Sequence, residues 1–186
     1  MTNQEAVGLI SHIISKGSEP QKWADLGCGS GTFTEALANI LPSESLILAV
    51  DKNMQHLKKT MGNHISVDFL HADFEQTDLG LTNLDGILLA NSLHYVKDKK
   101  ALIHRLEKYL SPDKRFLIVE YDTLKANQWV PYPIDFIGLK ELFTSLNYHA
   151  ITKLSERKSK FGQVNLYAAV LNLGVPIYGK ADHNAS

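Results

Sequence analysis

The chain has almost no cysteine: a single residue, Cys28, in 186. An intrachain disulfide is therefore excluded, and no Cys/His cluster stands at zinc-ligand spacing. An excess of charge of either sign is missing too. Nineteen Lys and Arg stand against 20 Asp and Glu, and the formal net charge of −1 gives no overall electrostatic reason to expect nucleic acid or an anionic membrane. No apolar run is long enough to span a bilayer. Internal repeats and low-complexity linkers are absent. The opening Met1-Thr2-Asn3-Gln4-Glu5 lacks the basic region and apolar run of a signal peptide. Together these absences lead to the expectation of a reducing, cytoplasmic setting without membrane or nucleic-acid partners.

What is present is ordinary for a globular protein: 44% hydrophobic and 21% charged residues. The length favours a single domain over 1–186, with an N-terminal helix within 1–17, a core over about 20–171 and a flexible tail at 175–186. Val7, Leu9, Ile10, Ile13 and Ile14 have helical spacing, and Gly17-Ser18-Glu19-Pro20 ends that helix. Trp23-Ala24 is a short apolar run before a glycine turn, and Thr32 to Leu37 reads as an amphipathic helix after it. Leu46–Val50 reads as a buried strand ending at Asp51, with Asn53 to Met61 as the following helix. Ile65–Leu70, Leu84–Ala90 and Arg115–Tyr121 are further strands. Lys99–Leu110 and Asp135–Leu146 have helical patterns. Tyr148–Leu154 and Val164–Leu171 read as a closing antiparallel pair joined by the polar, basic Ser155–Gly162. Strands alternating with helices predict a mainly parallel sheet covered on both faces, an α/β fold. Ligands of such sheets bind outside the carboxyl ends of the strands. Asp25, Asp51, Asp73, Asn91 and Tyr121 all fall at or near such ends.

The most specific stretch is Asp25-Leu26-Gly27-Cys28-Gly29-Ser30-Gly31. Glycines allow a sharp turn and close backbone approach to a ligand. A dinucleotide fingerprint, G-x-G-x-x-G, would put its third glycine at position 32, where this chain has Thr32. Here the third glycine comes one residue early, and an acid stands two residues before the first. The form acid-x-G-x-G-x-G resembles the first motif of the class I S-adenosylmethionine-dependent methyltransferases. Asp85–Asn91 followed by Ser92-Leu93-His94-Tyr95-Val96 resembles their small-molecule branch, the type that includes the ubiquinone and menaquinone methylases. The Asn/Asp-Pro-Pro-aromatic signature of amino methylases is missing, and the paired-glutamate hairpin of protein arginine methylases is not apparent. The resemblance covers most of residues 20–171. It implies a Rossmann-like methyltransferase fold: seven strands in the order 3-2-1-4-5-7-6, strand 7 antiparallel, helices on both faces.

It also implies a site. Gly27, Cys28, Gly29 and Gly31 would hold the methionyl portion of S-adenosylmethionine, with Asp25 facing its cationic amino end. Asp51 would accept from the ribose hydroxyls; its plainer reading is the cap of the next helix, a role open to Asn53 as well. Lys52 would pack on the adenine. Asp73 would accept from the adenine amino group with Phe74 near the ring, or would be an ordinary loop aspartate. Ala90 and Asn91 would border the methionyl end. His94 has two readings: a general base near the transferring methyl, or a residue that caps its loop or lines a wall. The stretch after the fifth strand would line the acceptor pocket, with Tyr121, Asp122, Trp129 and Tyr132 on one side and Tyr95 on the other; Trp129 could instead tuck into a satellite core. Lys97-Asp98-Lys99-Lys100 and Arg157-Lys158-Ser159-Lys160 read as solvated, the latter open to an acidic partner.

The implied activity is methyl transfer to a small-molecule acceptor by in-line displacement, without metal, leaving S-adenosylhomocysteine. The implied assembly is a monomer or homodimer. Two alternatives stand beside it: a methyltransferase-fold partner subunit that binds the cofactor without catalysis, and a nicotinamide-dependent oxidoreductase. The early third glycine and Asp73 disfavour the second.

Overall fold

A computed structural model describes residues 1–11, 19–113, 115–159 and 164–173. Its strands are β1 (Lys22–Leu26), β2 (Leu46–Asp51), β3 (Thr60–Met61), β4 (Ile65–His71), β5 (Gly86–Ala90), β6 (Arg115–Tyr121), β7 (Ala150–Lys158) and β8 (Asn165–Asn172). The described helices are α1 (Asn3–Ile10), α2 (Thr32–Ala38), α3 (Lys99–Leu106) and α4 (Phe136–Thr144). All eight strands form one sheet in the order β3-β4-β2-β1-β5-β6-β8-β7. β4, β2, β1, β5 and β6 run parallel, and β8 is antiparallel to both β6 and β7. Leaving aside the two-residue β3 at the edge, the other seven strands stand in the expected order.

The central strands are buried because apolar side chains alternate to two cores. On one face Trp23, Ile47, Leu88 and Leu117 pack with Leu9 and Ile10 of α1 and Phe33 and Leu37 of α2. On the other, Ile87, Leu89, Phe116 and Ile118 pack with Leu102 and Ile103 of α3 and Leu139 and Phe143 of α4. Burial on both faces explains why β1, β2 and β5 read as short continuous apolar runs rather than alternating ones. Three helices start on side-chain caps: Thr2 with Glu5 in a capping box, Asp98 on the Ala101 N–H, and Asp135 on the Gly138 N–H. α2 starts on Gly31 with no side-chain cap.

One expected helix is not there. Residues 52–59 are irregular, and Thr60–Met61 pair antiparallel with β4. The connection must run back along the six-residue β2, about 20 Å at strand rise. Eight residues in a helix would advance only about 12 Å. The chain instead goes back without regular structure, seats Leu57 and Met61 against the core that α1 and α2 share, and turns into β4 through Gly62–His64. Other differences are smaller. α3 gives way to a tighter 3-10 turn at Glu107–Tyr109, and β7 runs on to Lys158. Ile13, Ile14, Gly17 and Ser18 of the expected N-terminal helix and its end, Gly162 of the closing connection and the tail at 175–186 lie outside the described residues.

The Gly62 turn also closes the end of α2. The Asn63 N–H donates to the Ala38 carbonyl at 3.2 Å, and its side-chain amide donates to the Asn39 and Leu41 carbonyls. Gly62 has φ +50, and a Cβ there would lie 2.3 Å from the Ala38 oxygen. Gly62→Ala should therefore destabilise the protein by more than about 1 kcal/mol, read as a lower urea midpoint at unchanged m-value. An unchanged midpoint would contradict this contact.

Candidate active site

The parallel register brings the ends of β1, β2, β5 and β6 to one edge of the sheet. The chain leaves β1 through a glycine turn fixed to its neighbour: the Gly27 and Cys28 N–H groups both donate to the Val50 carbonyl, at 2.8 and 3.0 Å. Gly27, Gly29 and Gly31 all have positive φ, at +80, +50 and +85. A Cβ on Gly27 would lie 2.6 Å from the Ser92 Cβ, so the turn presses on the segment after β5. Ser92 secures that contact by donating its hydroxyl to the Leu26 carbonyl at 2.7 Å. Around Gly29, in contrast, the space a side chain would fill is open.

A cavity of about 320 Å³ opens beside this turn, lined by Asp25, Gly27, Cys28, Ala90, Asn91 and Tyr121, among others. Five of these are predicted cofactor residues; Tyr121 is a predicted acceptor-pocket residue. Asp25 is 1% exposed and takes the Thr34 hydroxyl on one carboxylate oxygen at 2.6 Å. Burial raises its pKa to about 7; the Thr34 bond works against this, and the nearby Asp51 charge adds to it. Asn91 has φ +54, an uncommon conformation for a side-chain-bearing residue. Its Oδ1 is buried with no hydrogen-bond partner. Burial raises the Cys28 thiol to about 12, with Asp25 and Asp51 contributing, so it is a neutral packing group.

The other predicted cofactor residues gather on the β2–β4 side of the turn. Asp51 is buried, and both carboxylate oxygens are engaged: Oδ2 by the Gly29 N–H and Oδ1 by the Asn53 N–H, each at 2.8 Å. It therefore caps no helix; it fastens the end of β2 to the glycine turn. Phe74 lies beside Gly27, and its carbonyl is held by the Arg105 guanidinium at 2.6 Å. Asp73, half-buried, accepts the Glu75 N–H at 2.9 Å. Lys52 is exposed at the end of β2, its carbonyl taking the His71 Nε2–H at 2.9 Å.

The acceptor-side expectations divide. Tyr121 lines the first cavity and also a second one of about 800 Å³, on whose wall Trp129 stands 71% exposed. Trp129 is thus not tucked into a satellite core. His94, Tyr95, Asp122 and Tyr132 line neither cavity. His94 is 2% exposed, with Nδ1 at 2.6 Å from Glu120 Oε2 while its backbone N–H donates to Glu120 Oε1 at 3.0 Å. Its ring centroid lies 4.4 Å from that of Tyr95 and 6.0 Å from that of Tyr121. This double grip pins the loop after β5 to the end of β6, in line with the structural reading. Asp122 is occupied by the Phe136 N–H and the Lys153 ammonium. Tyr132 donates its N–H to the His94 carbonyl and receives Lys99 on its own. Both serve packing of the β6–α4 connection.

Sequence reasoning missed the far wall of the first cavity: Met1 and Glu5 from the start of α1, and Arg157, Lys158 and Ser159 from the end of β7. Arg157, read as solvated, bonds Glu5 at 2.9 Å and ties α1 to β7. Two polar residues 152 positions apart carry no local signal of such a contact. Among the described residues no group of three or more His, Cys, Asp or Glu could hold a metal ion, and no helix is long and apolar enough to cross a membrane.

Residues 24–113 match the family model described as a methyltransferase domain. The chain is 21% identical over 155 residues to a ubiquinone/menaquinone biosynthesis C-methyltransferase, UbiE, of Edwardsiella ictaluri, covering 80% of this chain and 58% of that protein. It is 35% identical over 91 residues to a malonyl-[acyl-carrier protein] O-methyltransferase of Bacillus anthracis, covering 48% and 33%. The structure superposes on Burkholderia thailandensis 1,6-didemethyltoxoflavin-N1-methyltransferase with bound 1,6-didemethyltoxoflavin and S-adenosylhomocysteine, with a TM-score of 0.66 at 19% identity, over 91% of this chain and 77% of that one. In its glycine turn, strand order and domain match the chain is similar to the class I S-adenosylmethionine-dependent methyltransferases. It spans between 21% and 58% of the length of the curated relatives it matches.

Because Asp51 holds two backbone donors, Asp51→Ala should lower stability by about 1.5–3 kcal/mol. Urea unfolding of parent and variant measures it. An equal midpoint would reduce Asp51 to a surface acid.

Proposed function

We propose that the protein binds S-adenosylmethionine at the glycine turn and transfers its methyl group to a small-molecule acceptor. The observation that carries this reading is the pair Asp25 and Asn91. A buried acceptor without a donor costs about 1–3 kcal/mol, and Asn91 Oδ1 is one. Beside it in the same cavity stands a buried carboxylate whose second oxygen has no described hydrogen-bond partner. Such a pair fits a ligand ammonium, which is what the methionyl end of the cofactor offers.

When bound, S-adenosylmethionine would supply an electrophilic methyl group, its sulfur being the leaving group that keeps the electron pair of the carbon–sulfur bond. The chain's own part is placement. Asp25 and Asn91 would hold the ammonium, and Gly29 leaves open the space a side chain would fill. Asp51 has lone pairs left after its two backbone bonds, enough to accept from a ribose. Phe74 offers an apolar surface on the same side. Tyr121 stands where the first cavity meets the second, so an acceptor approaches from the Trp129 side. Holding two reactants in line supplies a large share of such a rate. His94, gripped by Glu120, positions the loop carrying Asn91 and Ser92.

Calorimetry tests the reading. S-adenosylhomocysteine should bind in the micromolar range and NAD should not; tight NAD binding with no response to S-adenosylhomocysteine would overturn it. The pH dependence tests Asp25. Its ionised form is the one that attracts an ammonium, and its pKa is about 7 in the free protein. Affinity should thus climb as pH rises from 5.5 to 7.5, with proton release on binding below pH 7. Asp25→Asn should bind more weakly and flatten that slope. An equally steep slope in the variant would assign the titration to another group.

A further inference from the structure

The second cavity is left over once the cofactor is placed. Its volume, about 800 Å³, lies in the range of small-molecule sites. It meets the first cavity at Tyr121 and Ser159, which line both.

Trp129 is the cavity's main aromatic surface, and it is not held out by slack chain. Asn127 Oδ1 accepts the Trp129 and Val130 N–H groups at 2.8 and 3.0 Å, and the Asn127 and Val130 backbones bond each other both ways. Val130 is buried, and two residues on the Tyr132 N–H is anchored on His94. A tight, doubly anchored turn thus presents an exposed indole to an open volume. Apart from the backbone of this turn, the wall is largely Tyr121, Val130 and Val164. Among the described lining residues Lys125 is the one charged side chain, and its ammonium bonds no described residue. A flat aromatic face beside one uncommitted cation selects a ligand that is itself flat and anionic.

Resting on the methyl-transfer reading above, we infer that the acceptor is a planar aromatic compound carrying an acidic group. Its ring lies on Trp129, its anion meets Lys125, and its nucleophilic atom reaches past Tyr121 toward the first cavity. Tyr121 is then a specificity-determining residue, because it sets how bulky the part next to the nucleophile can be.

The test uses 1-hydroxy-2-naphthoate as probe and 2-naphthol as its uncharged counterpart, titrated calorimetrically into the full chain with and without S-adenosylhomocysteine. The naphthoate should bind at least tenfold tighter than the naphthol. Lys125→Glu should erase that preference, and Trp129→Ala should weaken both probes at least tenfold. Both variants should keep parental affinity for S-adenosylhomocysteine within twofold, which shows that they are folded. Equal binding of the two probes, binding of neither, or a variant that takes the naphthoate as the parent does would overturn the inference. The two readings fail separately. Loss of the naphthoate preference with S-adenosylhomocysteine bound refutes the acceptor class alone. Naphthoate binding as described with no S-adenosylhomocysteine binding refutes the cofactor reading instead.

Discussion

The bond from the Gly29 N–H to the Asp51 carboxylate, 2.8 Å long, is the constraint on which the site depends. It joins the turn after β1 to the end of β2, next to the two bonds that Gly27 and Cys28 donate to Val50. With the turn fixed on that side, Gly27 is forced against Ser92, and the loop after β5 has to follow. Ser92 and the His94–Glu120 grip then hold that loop from below and from β6. The cavity between these fixed pieces has the shape the backbone leaves, and its polar character comes from Asp25 and Asn91. A strained Asn91 with an orphaned oxygen persists because everything around it is held.

Much of this was legible in the sequence for a physical reason. Runs such as Leu46–Val50 and Ile87–Ala90 are too short for helices, too apolar for surface, and bounded by turn residues. Buried parallel strands are what such runs make. The acid-x-G-x-G-x-G spacing likewise states its own geometry, since three positive-φ positions in five residues leave few other turns. The helix expected at Asn53–Met61 failed because local spacing says nothing about how far a connection must travel. Length decided against it, and Asp51 gave its capping capacity to Gly29 and Asn53 instead of to a helix.

The far wall of the site was not legible at all. Leu166 faces Tyr121 through the antiparallel register of β6 and β8, and Glu5 reaches Arg157 because α1 packs on β7. These contacts depend on sheet order, not on neighbours in the chain. The same holds for His94. As a histidine beside a predicted site it invited a base; only the parallel pairing of β5 and β6 brings Glu120 under it and turns it into an anchor. Asp122 and Tyr132 were drawn in by position after β6, and the fold uses them for packing against α4 and α3.

The central claim is that the cavity at the glycine turn receives a cationic amino-acid end. A crystal structure of the S-adenosylhomocysteine complex tests it most directly. The account predicts the ligand ammonium within about 3 Å of Asn91 Oδ1 and of the Asp25 carboxylate, with the sulfur facing Tyr121. A ligand whose ammonium lies away from both groups, with Asn91 Oδ1 still unpartnered, would contradict it.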